Sequence, residues 1–236
     1  NGGTDLTEVN LAATDQATDT PTNNFATMNP LDNLFPGYTF SEGNCKIVTS
    51  SSSNNSFNTS TLGISSGKWY VEAKASAKSA GGLGSFMIGI VEKPSTGTTV
   101  EIGATASAYG YFSDDGNLRS NGSWSSYGNT YTAGDIIGIS INLDDNELKF
   151  YKNGTVQNSG TAISITAPAS NGTGFYFVAI GDYNENDNVT WEVNFGNPTF
   201  SISSAQADAD GYGNMEYAFP DTDYYCLNTK NLAEYG

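Results

Sequence analysis

Apolar positions in residues 134–154, GDIIGISINLDDNELKFYKNG, recur with a period of two. Ile137, Ile139, Ile141 and Leu143 share one face, and Gly138, Ser140 and Asn142 share the other. This is the alternation of a strand with one buried side. Asp144, Asp145 and Asn146 tolerate tight turns, and Leu148 and Phe150 resume the alternation on the way back. The stretch predicts a β-hairpin with Ile139 and Phe150 in the core.

The same alternation recurs along the chain. In GKWYVEAKASA (67–77), Trp69, Val71, Ala73 and Ala75 face away from Tyr70, Glu72 and Lys74, which predicts a strand with Trp69 buried. SFMIGIV (85–91) is apolar almost throughout and predicts a central strand. AYGYFS (108–113) leads through Asp114, Asp115 and Gly116 into a hairpin returning over 117–120. NGSWSSYGNTYTAGD (121–135) predicts a loop rich in glycine, serine and aromatics. GFYFVAIG (174–181) and VTWEVNF (189–195) predict two more strands, joined by the acidic tip DYNENDN.

The flanks are less regular. Residues 25–48 predict two or three short strands interrupted by Pro30 and Pro36, and 49–60 a polar loop. Residues 197–220 form an irregular insert, and 224–232 (YYCLNTKNL) a closing strand. The similar runs Met28–Leu31 and Cys226–Asn231 are expected to pair, because the ends of a domain often meet. Residues 1–24 hold too few apolar side chains to bury much and predict an extended arm or linker. Residues 25–236 are then one domain. Roughly ten to thirteen short strands, with no sustained helical periodicity, predict an all-β sandwich or jelly roll. The lack of helices argues against a Rossmann or TIM-type enzyme.

Composition narrows the chemistry. The 236 residues carry 9 basic against 25 acidic side chains, a net charge of −16. A nucleic-acid partner is excluded on that ground, because phosphate binding needs a positive field. No membrane span is visible either. There is no histidine, so Ser-His-Asp, Cys-His and His-metal sites are excluded within the chain. Paired glycosidase carboxylates are not seen as a Glu-x-Asp-x-x-Glu run, and Glu192 stands alone in its strand. No catalytic residue is assigned. Cys45 and Cys226 are read as buried free thiols, with a disulfide between them as the alternative.

Two kinds of binding residue remain. Calcium is an optional cofactor, with Asp182, Glu185, Asp187, Asp208 and Asp210 as oxygen donors; these runs lack EF-hand spacing, and Asp and Asn also dominate plain turns. Flat rings beside amides in loops suit a neutral ligand or a protein surface. Trp124, Tyr127 and Tyr183 supply rings, and Asn121, Asn129, Asp182 and Asn184 supply hydrogen bonds.

The order GKWYVEA, FMIGIV, YGYFSDDGN, GDIIGISINLDDNELKFYKNG, FYFVAIGD, WEVNFG over residues 61–196 resembles a SPRY domain. The resemblance implies a bent two-sheet antiparallel β-sandwich of the concanavalin A-like kind, acting as a binding module and not as an enzyme. The flanks DTPTNNFATMNPLD and YCLNTKNL resemble segments that bracket SPRY modules in tailed-phage structural proteins. That second resemblance implies a virion appendage such as a tail fibre, placed on the virion surface or otherwise extracellular. Its partners would be a host-surface glycan or protein, or neighbouring virion subunits, in a homo-oligomer or larger assembly. A secreted, lectin-like carbohydrate-binding protein is the alternative, and a jelly-roll glycoside hydrolase comes after it.

Overall fold

The computed structural model describes residues 19–32, 38–49, 56–78, 85–92, 100–183 and 188–236. In chain order its strands are β1 (Thr39–Ser41), β2 (Lys46–Val48), β3 (Ser56–Thr59), β4 (Lys68–Lys78), β5 (Phe86–Val91), β6 (Ala108–Phe112), β7 (Asn117–Ser120), β8 (Ser123–Ser126), β9 (Ile136–Asn142), β10 (Glu147–Lys152), β11 (Thr155–Val156), β12 (Ile163–Ser164), β13 (Phe177–Asp182), β14 (Val189–Asn194) and β15 (Tyr225–Cys226). One helix, α1 (Thr229–Tyr235), follows.

The strands form two sheets. The first runs β1-β2-β14-β4-β9-β10-β11, with β12 beside β10 and β15 beside β4; the second runs β3-β13-β5-β6-β7-β8. All pairings are antiparallel except β15 on β4. The fold is the expected all-β sandwich.

Between the sheets lies the core that the period-two alternation marks out. Trp69, Val71, Ile137, Ile139, Ile141, Phe150, Trp191 and Val193 project from the first sheet and meet Phe86, Ile88, Ile90, Tyr109, Tyr111 and Ile180 from the second. Phe150 sits directly across from Ile139 in the β9–β10 ladder, and the turn between the two strands is the Asp-Asn run.

Both outer faces are also covered. On the second sheet Phe57, Met87, Val91, Ile102, Phe112 and Ala179 form a second apolar layer. Burial on both sides explains why β5 is an unbroken apolar run. On the first sheet Tyr70, Met215 and Cys226 are buried together, with Phe25, Tyr151, Phe219 and Tyr224 packed against them. The insert 197–220 is therefore a strap lying over that sheet. Gly213 makes this packing possible: its backbone is left-handed (φ 83°), and a Cβ there would collide with the Cys226 sulfur.

Three segments differ from expectation. Residues 123–126, expected as loop, are the edge strand β8. Residues 56–59, expected within a polar loop, are β3, which gains strand structure by pairing with β13. Of the closing strand only two residues are extended. The rest is α1, capped by the Asn228 side chain, which accepts from the Lys230 and Asn231 N–H groups, and built on the helix formers Lys230, Leu232, Ala233 and Glu234.

The two flanks do meet, in a shifted register. Ala26 N–H donates to the Leu227 carbonyl and Thr229 N–H to that of Asn24, both at 2.9 Å, whereas Met28 bridges Ser60. Most of the expected arm, residues 1–18, lies outside the described residues; Thr20–Asn23 form a turn. Cys45 and Cys226 are buried free thiols.

Candidate functional site

The β7–β8 hairpin turns on Asn121 and Gly122, both with positive φ (48° and 82°), as an Asn-Gly hairpin turn requires. Trp124 then stands opposite Arg119 on the outer side of the second sheet. Its ring lies 4.6 Å from Phe112 and 5.6 Å from Tyr183, and the Arg119 guanidinium sits over it at 5.0 Å. Arg119 is itself paired with Glu101. Tyr183 is half-buried, edge-on to Phe112, and its N–H is fixed to the Ser85 carbonyl at 3.0 Å. Trp124 nevertheless keeps 41 % of its surface exposed. The fold thus brings Trp124 and Tyr183, far apart in the chain, into one aromatic patch.

The other sequence-predicted residues are placed differently. Asn121 is at the far end of the hairpin, where its side-chain oxygen accepts the Ser107 N–H at 2.8 Å. Tyr127 is core and not a free face. Its ring meets Tyr111 and Phe150 edge-on, its hydroxyl accepts the Phe150 N–H at 3.0 Å, and burial pushes its pKa up to about 12. Asn129 is exposed, with its N–H on the Gln157 side chain and its carbonyl taking the Tyr111 hydroxyl. It borders a groove of about 560 Å³ between Ser126–Asn129 and Thr155–Ser159. Asp182 is buried and accepts from the Thr49 hydroxyl at 3.0 Å, so it ties β13 to the chain after β2. Asn184, Glu185 and Asp187 lie outside the described residues.

In the 208–210 loop the calcium candidates Asp208 and Asp210 have structural partners. Oδ1 of the buried Asp208 accepts from the Asp210 and Tyr212 N–H groups, and Oδ2 from Cys226 N–H and the Asn231 amide. Asp210 accepts from the Tyr235 hydroxyl. Among the described residues no group of three or more His, Cys, Asp or Glu side chains is placed to hold a metal ion.

Sequence reasoning missed two charged residues. Arg119 packs its guanidinium on the Trp124 ring, and an Asn-Gly pair between two four-residue runs was the available hairpin signal. Glu72 belongs by alternation to a polar face, yet it is fully buried beneath the strap. It accepts the Glu216 and Tyr217 N–H groups at 2.8 and 2.9 Å.

The SPRY domain family model matches residues 68–198, more than half of the chain, and the chain belongs to that family. As a class, SPRY domains are protein-interaction modules without catalytic activity. The chain resembles the crystal structure of the SPRY domain of human HERC1 with a TM-score of 0.56 at 17 % identity, over 70 % of this chain and 96 % of that one. It is 48 % identical over 48 residues to Ran-binding protein 9 of Xenopus tropicalis, which is 20 % of this chain and 9 % of that protein. It is 46 % identical, also over 48 residues, to the Ran-binding proteins 9/10 homolog of Drosophila melanogaster, covering 5 % of that protein. The chain therefore spans a small part of the length of the curated relatives it matches.

These relatives overturn the expectation of a phage tail fibre or other virion appendage. They are eukaryotic proteins named as Ran-binding, and nothing in the comparisons links the chain to virion subunits or host-surface glycans. In the two flanking runs that suggested the phage resemblance, Asn29 bonds to β3 through the Thr59 carbonyl and Asn228 caps α1.

Proposed function

We propose that this chain is a non-catalytic protein-interaction module that docks a partner segment on the Trp124–Tyr183 patch and the adjoining free edge of β8. The observation that carries this reading is Trp124, a large ring left 41 % exposed while three neighbours hold it in place. A ring held this way loses little side-chain freedom on binding. Aromatic and arginine side chains are also the usual anchors of protein interfaces. Among the described residues β8 pairs only with β7, its four residues are all exposed, and it carries no charge or proline to block an incoming strand. An extended segment adding there by main-chain hydrogen bonds would lay its side chains across Trp124. Tyr183 completes the proposed contact set. Family membership and the naming of the relatives as Ran-binding proteins support a protein as the partner.

The test is surface plasmon resonance of the immobilised chain against Ran and against an array of extended peptides. For whatever binds, Trp124→Ala combined with Tyr183→Ala is expected to weaken affinity by about tenfold or more, with the melting temperature unchanged. Binding that survives the double substitution overturns the assignment of the patch. Absence of any peptide or protein ligand overturns the reading as a whole.

A further inference from the structure

The strap over the first sheet encloses, at its surface, a cavity of about 300 Å³ that the Trp124 patch does not touch. Phe219 and Tyr224 line it with two half-buried rings, Ala207 and Ala209 with methyl groups, and Asp208 and Asp221 with carboxylates. We propose that this cavity binds the guanidinium of an arginine presented by a basic segment of a partner protein.

Three observations lead to this occupant. The first is shape and rigidity. The volume lies at the small end of ligand pockets and suits one long side chain. Phe219 is fixed 5.3 Å from Tyr70, which is in turn edge-on to Tyr151 at 6.1 Å, so this aromatic wall is set before any ligand arrives.

The second is charge. Among the described residues no lysine or arginine lines the cavity. Asp208 is used up by its four N–H donors, but Asp221 is exposed. Its Oδ1 is held by Thr222, and Oδ2 accepts no hydrogen bond among the described residues. Lys68, whose charge reaches Tyr224, is already bound to Asp223 at 2.6 Å. Burial foremost pushes Tyr224 up to about 12, with smaller contributions from Tyr151, Asp223 and Glu147 against the opposing pull of Lys68. A chain of net charge −16 draws basic partners toward such a site over a distance.

The third is the pairing of rings with a carboxylate. A cation over an aromatic face is stabilised by the ring quadrupole. Among side chains, the planar guanidinium both stacks on rings and forks to a carboxylate, which a lysine ammonium does not do.

The experiment is an NMR titration of the full chain with N-acetylarginine amide, following the backbone N–H signals of Ala207, Ala209 and Thr222. The matched citrulline amide has the same shape without charge, and the lysine amide has charge without the planar fork. Saturable shifts at these three positions are expected with the arginine probe, and binding at least about fivefold weaker with the other two. Asp221→Asn, at an exposed position, is expected to fold normally and to weaken the arginine probe by a similar factor. The Trp124→Ala, Tyr183→Ala variant is expected to bind it unchanged, which separates this site from the docking patch. Citrulline or lysine binding as well as arginine, no saturable shift, or Asp221→Asn binding like the parent would each overturn the proposal.

Discussion

Glu72→Ala asks whether one carboxylate fastens the C-terminal strap to the sandwich. Glu72 projects from the middle of β4 and has no exposed surface. Besides the Glu216 and Tyr217 N–H groups at 2.8 and 2.9 Å, it accepts from the Tyr70 hydroxyl at 3.3 Å and the Asn194 amide at 3.5 Å. Burial raises its pKa above the ordinary 4.5, and the four donors pull the other way. Truncation to alanine leaves two partly buried backbone N–H groups without an acceptor, at about 1–3 kcal/mol each. Removing a desolvated charge returns part of that loss, so the expected net destabilisation is about 3–4 kcal/mol. That is a large share of the ~5–15 kcal/mol that holds a typical domain folded. Glu72→Gln keeps the volume and one acceptor oxygen but turns an NH₂ group toward N–H donors, so it is expected to recover only part of the loss. The pH dependence has a definite sign. A carboxylate whose folded pKa is raised contributes stability that is fully present below 4.5 and is lost as pH rises through the folded value. The glutamine variant should lack that slope. Urea unfolding followed by circular dichroism, with hydrogen exchange at the Glu216 and Tyr217 N–H groups, measures both effects. A loss below about 1 kcal/mol, or unchanged protection of those two groups, would refute the reasoning.

Phe150→Ala should cost about 3–5 kcal/mol in the same assay, because the ring is fully buried and packs 5.3 Å from Tyr111 and 5.8 Å from Tyr127; an unmoved unfolding midpoint would contradict the strand facing. Burial pushes the Cys45 thiol up to about 12 and that of Cys226 well above its usual range. Neither should react with a thiol reagent at mildly alkaline pH until the protein unfolds, and rapid labelling of the native chain would show the burial to be wrong. Deleting residues 221–236 removes β15, α1 and the Cys226 and Asn231 donors of Asp208, and should lower the melting temperature measurably. A truncated chain that melts like the parent would mean the flank is not part of the folded unit.

The period-two alternation determined the hairpin of β9 and β10, the buried faces of β4 and β14, and the burial of Trp69, Ile139 and Phe150, because those patterns are local. β3 and β8 were not legible. Ser-Phe-Asn-Thr and Ser-Trp-Ser-Ser carry no clear alternation and become strands only by hydrogen bonding to β13 and β7. Local pattern separates the two faces of a strand, but it does not say whether the polar-looking face is wet. Glu72 reads as a solvated carboxylate until a strap some 144 residues further along the chain supplies its N–H donors. Asp208 likewise reads as a loop carboxylate until the tertiary structure brings Cys226 and Asn231 to it. The rings of the candidate patch were visible as residue types, whereas their sorting was not. Tyr127 goes into the core and Trp124 to the surface beside Tyr183, because sheet order sets which strand lies next to which, and sheet order is fixed by long-range pairing that no short window of sequence contains.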